Sequence, residues 1–384
     1  MITQTLAIFH DAYRELNSRK MFWIVLILSG LAICSFAIIG VGQRSLTLFW
    51  FEFPELSSDP VHLYKWLFSF LVVGGWLTWV ATILALISTA SIFPDFVSGG
   101  SIDLFLSKPI SRLRLFFTKY LTGLLFVFLQ VTLFCAASLL VLRVRGRIWE
   151  PGLFLAVPIV VIFYSYLFSV CTLLGILTRS TLASLLLTFL FWIFIVGISF
   201  TETQLLDWQL TVQYQYDGYA GQIQNLDKRI EIMSRPAPTT SPNRVTPPAT
   251  NPAQRMIDDL IKTRDHLAVQ RDDAEKMARK LVFAHRIVYL MKTVVPKTGA
   301  TTDLLDRRLF SDAELGEAAD REKREAESAG EGEFGELMRS ATAAKIERKQ
   351  IARHRSLGWI VGTSLLFEAA VLSLAAWIFY RRDF

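Results

Sequence analysis

Six stretches of this chain are apolar over about twenty residues or more and almost free of charge: Met21–Val41, Trp66–Phe93, Leu115–Leu142, Leu153–Leu177, Leu182–Phe200 and Leu357–Tyr380. A helix of about twenty residues crosses the hydrocarbon core of a bilayer. Inside hydrocarbon every backbone amide must find its partner within its own segment, so each run is expected to be a helix. Buried helices of a large soluble core are the competing explanation. Six such runs in 384 residues, with 52% hydrophobic and only 19% charged residues, leave too little polar surface for that. The expected fold is an all-α polytopic membrane protein with about six transmembrane helices. A large helical extracytoplasmic insert separates the fifth from the sixth.

The flanks support the same reading. Trp23, Trp50, Trp66, Tyr120, Trp149, Trp208, Trp359 and Tyr380 stand near run ends, as in an aromatic belt at the membrane interface. The first run begins some twenty residues into the chain, is long for a signal-peptide core and is followed by no small-residue cleavage motif, so it is read as a retained span. Cys34, Cys135 and Cys171 all fall within spans and make no disulfide framework. With the N-terminus placed in the cytoplasm, the inner flanks hold Arg14, Arg19, Lys20, Lys108, Arg112, Arg114, Lys119, Arg179, Arg381 and Arg382. The short outer loops hold Arg44, Lys65, Arg143, Arg145 and Arg147. The excess of basic residues inside puts both termini in the cytoplasm of a multi-pass protein of the cell (inner) membrane, with Arg143–Arg147 as a dissenting cluster. The net charge of +6 comes mostly from these flanks and carries orientation, not affinity for nucleic acid.

The chain thus divides into a segment 1–20, spans one to five within 21–200, a polar insert 201–356, and the last span with its tail, 357–384. In the insert, Tyr219, Ile223, Leu226, Ile230 and Met233 form one helical stripe. A linker over 236–252 with Pro236, Pro238, Pro242, Pro247, Pro248 and Pro252 is expected to be extended. From Met256 to about Met291 a second long helix is expected, ended by Pro296 and Gly299. Thr301–Phe310 reads as a short amphipathic piece, and Ser311–Arg355 as charged helix broken near Gly330–Gly335. A coiled-coil-like hairpin and a partly disordered polar loop are both compatible with these patterns.

The chain lacks a G-x-x-x-x-G-K-[ST] phosphate loop, a G-x-G-x-x-G turn, paired metal-ligand spacings and a G-x-S-x-G elbow. It is therefore read as a non-enzyme without a cofactor of its own. Two segments on the cytoplasmic side are informative. Ile2, Leu6, Phe9, Tyr13 and Leu16 lie on one face of an N-terminal helix, with Asp11, Arg14, Glu15 and Arg19 on the rest, as in a helix lying flat on the membrane. An anchoring role alone would explain it. The loop over 94–114 follows Pro94 and the Gly99–Gly100 turn. Ser101 can cap a short helix with Asp103 in its first turn, and Pro109 ends it. Ile102, Leu104, Phe105 and Leu106 are too apolar for an ordinary solvated loop and call for a partner or the bilayer surface.

Three motifs in register resemble ATP-binding-cassette (ABC) transporter permeases of the type-2 exporter class. The N-terminal Ala7-x-x-x-x-Ala12-x-Arg14-Glu15-Leu16-x-x-Arg19-Lys20-x-Phe22 resembles the start of that class. The loop Gly100-Ser101, Ile102–Phe105, Leu106-Ser107-Lys108-Pro109-Ile110-Ser111-Arg112 with Lys119 resembles its cytoplasmic loop, and Phe379-Tyr380-Arg381-Arg382-Asp383-Phe384 its tail. The resemblance implies that Ser101, Ile102, Asp103, Leu104, Phe105, Leu106, Lys108, Pro109 and Arg112 couple the permease to a separate nucleotide-binding ATPase subunit, which carries ATP and Mg. It also implies a second permease subunit in a homodimer or heterodimer. Two features depart from the class: the acidic residue before the glycine turn is Asp95, four residues upstream of Gly99, and the outer insert is much longer than the usual re-entrant element.

One charge lies in the middle of the last span. Glu368 costs about 2.5–3.5 kcal/mol there on insertion scales and should face the bundle or a wet cavity, as a substrate or gating residue or as a carboxyl bonded to a neighbouring helix. Gln130 in the third span is the second intramembrane polar candidate, and Arg179 reads as a topology anchor. The competing classes are a non-transport scaffold or sensor acting through the insert, and an ion-coupled carrier. The latter would call for more buried polar residues and an internal repeat.

Overall fold

In the computed structural model, residues 20–41, 46–48, 51–53, 69–98, 111–145, 149, 151–235, 252–309, 312–328 and 332–381 are described. The N-terminal amphipathic segment before Lys20, the loop helix with the following Lys-Pro motif (101–110) and nearly all of the Pro-rich linker lie outside them. The described residues fall into two compact units. Unit 1 takes 1–199, 292–311 and 356–384, and unit 2 takes 200–291 and 312–355.

Unit 1 is helical. Helix α1 is Lys20–Ala37, followed by a small antiparallel meander of β1 (Ile39–Val41), β2 (Leu46–Leu48) and β3 (Phe51–Phe53). Ile39 pairs with Leu48, and Leu46 with Phe53. A π-helical segment Ser69–Ala81 runs into α2, Thr82–Thr89. The chain turns at Ala90–Ser91 and resumes as α3, Ile92–Ser98. The turn sits just ahead of Pro94, which has no N–H to donate back to the carbonyl of Ala90. Helix α4 is Arg112–Arg145. A 3-10 turn, Pro151–Leu155, leads into α5, Ala156–Thr178. That helix ends in the left-handed Arg179 (φ 53°), whose N–H donates to the Gly175 carbonyl at 3.0 Å. Helix α6 is Thr181–Ser234.

Among the described residues, five helices are long and apolar enough to cross a membrane: Gly74–Val97, Arg112–Val144, Pro151–Thr178, Thr181–Ser234 and Gly358–Arg381. The first apolar helix, Trp23–Ser35, is shorter, because the chain turns into strand after Ala37. Helix α4, with 34 residues, is about 51 Å long at 1.5 Å per residue, well beyond the bilayer core. Arg143, with its guanidinium 5.8 Å from the Trp149 ring, lies in the last turn of this helix.

The remaining helices are α7 (Pro252–Val294), α8 (Thr298–Leu309), α9 (Asp312–Glu327), α10 (Glu333–His354) and, after a π-helical turn Gly358–Gly362, α11 (Thr363–Arg381). The long helix expected from Met256 to about Met291 ends at Val294, just ahead of Pro296. The glycine break expected near Gly330–Gly335 falls at Gly332, whose φ of 140° suits glycine. The fifth apolar run and the following stripe from Tyr219 to Met233 are one helix of 54 residues, with no break where the apolar run ends.

The stretch 201–356 divides more finely than its composition suggests, since 292–311 belongs to unit 1. There α8 lies against α5, the Pro151–Leu155 turn and both π-helical segments. These segments open three of the apolar helices, so among the described residues one end of the bundle collects the 3-10 turn, both π-helical segments and α8. At the other end Phe96 stacks on Phe379 (6.1 Å), Phe93 meets Phe116 (5.3 Å) and Pro94 lies beside Gly175. That end carries Ser98, Arg112, Arg179 and Arg381.

The core between the ends is aromatic. Phe168 stacks on Tyr120 (5.2 Å) and Tyr164 (5.4 Å) and lies 6.5 Å from Phe93. It fits because residue 123 is glycine: a Cβ there would stand 2.5 Å from the Phe168 ring. Gly123→Ala is expected to lower stability by about 1–3 kcal/mol, the usual cost of overpacking a locked core. Gly197→Ala, which meets nothing within 4 Å, should leave it unchanged. Thermal unfolding of both variants in the same detergent checks the contrast.

Candidate functional site

Glu368, expected to face the bundle, does so. It is 8% exposed and stands on α11 between α4 and α5. The Tyr120 hydroxyl donates to its Oε1 at 2.8 Å and the Ser165 hydroxyl to its Oε2 at 2.7 Å. One carboxyl thus ties α4, α5 and α11 together. Each hydroxyl also has a backbone acceptor within reach, the Ser165 carbonyl 3.1 Å from Tyr120 and the Ile162 carbonyl 2.8 Å from Ser165 Oγ. Among the described residues no Lys, Arg or His pairs with this carboxyl. Tyr120, read from the sequence as an interface aromatic, is buried, because its ring fills the space beside Phe168 and its hydroxyl reaches the carboxyl. No periodicity marks it or Ser165 as partners of a residue some 250 and 200 positions away.

Gln130 is also buried, at 4% exposure, but the structure does not bring it to Glu368. Its Oε1 has no partner and borders a small cavity of about 10 Å³ with Ser29, Thr82 and Val160, space on the order of one water.

Of the residues expected to couple to an ATPase, Ser101 through Pro109 lie outside the described residues. Arg112 is the first residue of α4. Ser111 caps that helix, its hydroxyl accepting from the Arg114 N–H at 3.4 Å. Lys119 lies over the Phe96 ring at 5.8 Å. Asp95 is exposed in the first turn of α3. The ends of the loop are therefore anchored by α3 and α4, and α3 is seated on α5.

A buried cation was not anticipated from the sequence. Lys297, fully buried, precedes α8. Its Nζ stands 4.3 Å from the Trp359 ring centre and donates to Thr363 and, at 3.3 Å, to the Thr293 carbonyl. Its backbone N–H donates to Ser364 Oγ at 3.0 Å. Its sequence signal is slight: one lysine among Val294, Val295 and Pro296.

Unit 2 is knitted by polar contacts between antiparallel helices. Arg348 pairs with Asp207 at 2.6 Å, Tyr214 donates to Glu347 at 2.7 Å and Gln222 donates to Glu336. Arg264 reaches Asp227 at 3.6 Å. Glu202, nearly inaccessible, is met by Arg355 at 2.5 Å and His285 at 3.7 Å. Between α6 and α10 a groove of about 650 Å³ is lined by Tyr214, Tyr219, Phe334 and Leu337 with Glu336 and Arg339. Burial pushes the Glu322 carboxyl up, but Lys349 at 3.1 Å and Lys345 at 3.3 Å more than offset it, and it lies below the usual carboxylate range.

No family model matches the chain, and comparison with curated proteins and with solved structures finds no match. The functional reading therefore rests on the residues themselves.

Two expectations follow for unit 2. Arg355→Ala removes the guanidinium that meets the buried Glu202 carboxylate at 2.5 Å and should cost about 3–5 kcal/mol. Adding Glu202→Gln should recover much of it, as read by thermal unfolding. A carboxyl whose folded pKa is depressed stabilises above its unfolded pKa, and this is lost as pH falls through the folded value. The Lys345→Met/Lys349→Met variant should therefore be less stable than the parent at neutral pH, with the gap closing in acid as Glu322 protonates.

Proposed function

We propose that this chain is the membrane-spanning permease subunit of an ABC transporter of the exporter class, driven by a separate ATPase subunit that binds ATP and Mg. The observation that carries the reading is the sequence of the loop Ser101–Arg112, in which the apolar stretch Ile102–Phe105 runs into Leu-Ser-Lys-Pro-Ile-Ser-Arg, between the helices that finish at Ser98 and begin at Arg112. A loop that only turned the chain back would need neither the apolar stretch nor the motif. Leu104 and Phe105 are the side chains proposed to enter the ATPase groove. Lys108, Pro109 and Arg112 set the loop's exit into α4.

The gathering of Ser98, Arg112, Arg179 and Arg381 at one end supports a cytoplasmic placement of that end, with six spans, both termini inside the cell membrane and the insert outside. A second permease subunit completes the pathway, and lipid surrounds the bundle. No nucleic acid is involved. The groove between α6 and α10 favours one second reading, a scaffold or sensor that recruits a partner through the insert.

The two readings part in one experiment. The chain is purified from its native membrane in mild detergent, co-purifying proteins are identified, and ATP hydrolysis is measured for the parent and for Leu104→Asp/Phe105→Asp. The permease reading expects a co-purifying ATPase that is lost, and at least a tenfold fall in hydrolysis, in the double variant. A chain that purifies without an ATPase, or a complex indifferent to both changes, turns the assignment to the scaffold.

A further inference from the structure

We infer that Glu368 is a proton-binding site, at which uptake or release of one proton changes how the last span is held to the third and fourth. The argument is a count of hydrogens. Tyr120 and Ser165 supply one hydroxyl hydrogen each. Four acceptors surround them: Glu368 Oε1 and Oε2, the Ser165 carbonyl and the Ile162 carbonyl, at 2.8, 2.7, 3.1 and 2.8 Å from their hydroxyls. With the carboxyl ionised, both hydroxyls point to it and both bonds are charge-assisted. With the carboxyl protonated, its own O–H donates to one hydroxyl, which turns its hydrogen onto its backbone carbonyl. Every hydrogen has an acceptor in both states, and the change between them is one proton and the rotation of one hydroxyl.

Among the described residues no charged side chain pairs with the carboxyl to fix it in one state. Facing it are the phenols of Tyr166 from α5 and of Tyr120 itself from α4, while the Tyr164 hydroxyl is committed to Thr89. Cys171, further along α5, lies toward Ser184 and Thr188. From the α8 end, Lys297 is engaged with Trp359 and Thr363, one turn of α11 away. Lys119, the neighbour of Tyr120 in sequence, lies over Phe96. A structural carboxyl of this burial is ordinarily held by a cation; here two neutral hydroxyls do so, each with a second acceptor. Ionised, span six carries two charge-assisted bonds to its neighbours; protonated, it carries neutral ones, about half as strong.

Infrared titration of the whole chain in lipid nanodiscs tests this, and because it needs no ATPase its outcome is independent of the permease reading. The spectrum of Glu368→Gln is subtracted from that of the parent at each pH. The inference expects a carboxylic-acid band in the difference that disappears over a single-proton titration as pH rises, and that shifts frequency in Tyr120→Phe and Ser165→Ala. A difference with no such band at any pH, or with a band of constant amplitude, overturns it. If Glu368→Gln does not fold, ¹³C-labelled glutamate in the parent and in Tyr120→Phe gives the same reading, since Tyr120→Phe keeps the carboxyl and moves its band only if the two are bonded.

Discussion

Unit 1 depends on one helix being buried on all sides. From Phe163 to Thr172 every residue of α5 is inaccessible, and the other spans are arranged around it. A helix can be enclosed this way only if its polar groups are answered internally. Two of its hydroxyls are turned back onto the helix: Ser165 lies 2.8 Å from the Ile162 carbonyl and Ser169 the same distance from the Tyr166 carbonyl. The aromatic rings between Tyr164 and Phe168 then bring in α3 through Phe93, α4 through Tyr120 and Gly123, and the last span through Ser165 and Glu368. Apolar packing supplies cohesion but no register, since lipid tails are as apolar as the side chains. The two hydrogen bonds to Glu368 supply register, because a carboxyl in hydrocarbon has few other places to go.

The two ends of the bundle are chemically unlike. One gathers arginines and the helices α3 and α4 that flank the loop carrying the motif. The other gathers a 3-10 turn, two π-helical segments, the strands and α8 with its buried lysine. Wider π and tighter 3-10 turns leave backbone groups less regularly paired than an α-helix does, and such segments recur where helices must adjust. Under the proposed function, force applied at the loop reaches α5 through α3, and α5 also carries Ser165. The proton site and the coupling loop would then act on the same helix from different sides.

Much of the architecture was legible in advance because hydrocarbon imposes few choices. An uncharged run of sufficient length must be helix, so α4, α5, the start of α6 and α11 fall where the runs lie. Pro296 and Gly332 punctuate the insert where proline and glycine chemistry requires. The first span is shorter than its run, since Ile39–Val41 is apolar enough for either helix or strand and pairing with β2 decides. Composition set 201–356 apart as polar, yet Lys292–Ser311 packs with unit 1: α8 is amphipathic, and a face that buries Thr301, Leu304 and Leu305 is not visible in an average over the whole insert.

The sequence by itself determined which segments are apolar and long enough to form helices that could cross a membrane, which loop carries a motif, and that Glu368 stands out as a charge within an apolar run. These follow from local properties, namely hydropathy, the positions of charge, and the turn chemistry of proline and glycine. The tertiary structure alone decided who meets Glu368, that Gln130 does not, that Tyr120 is buried rather than at an interface, and that Lys297 returns to the bundle. Those are pairings across roughly 45 to 250 residues, and no periodicity records them. They are set by which helix faces remain after α5 has been enclosed.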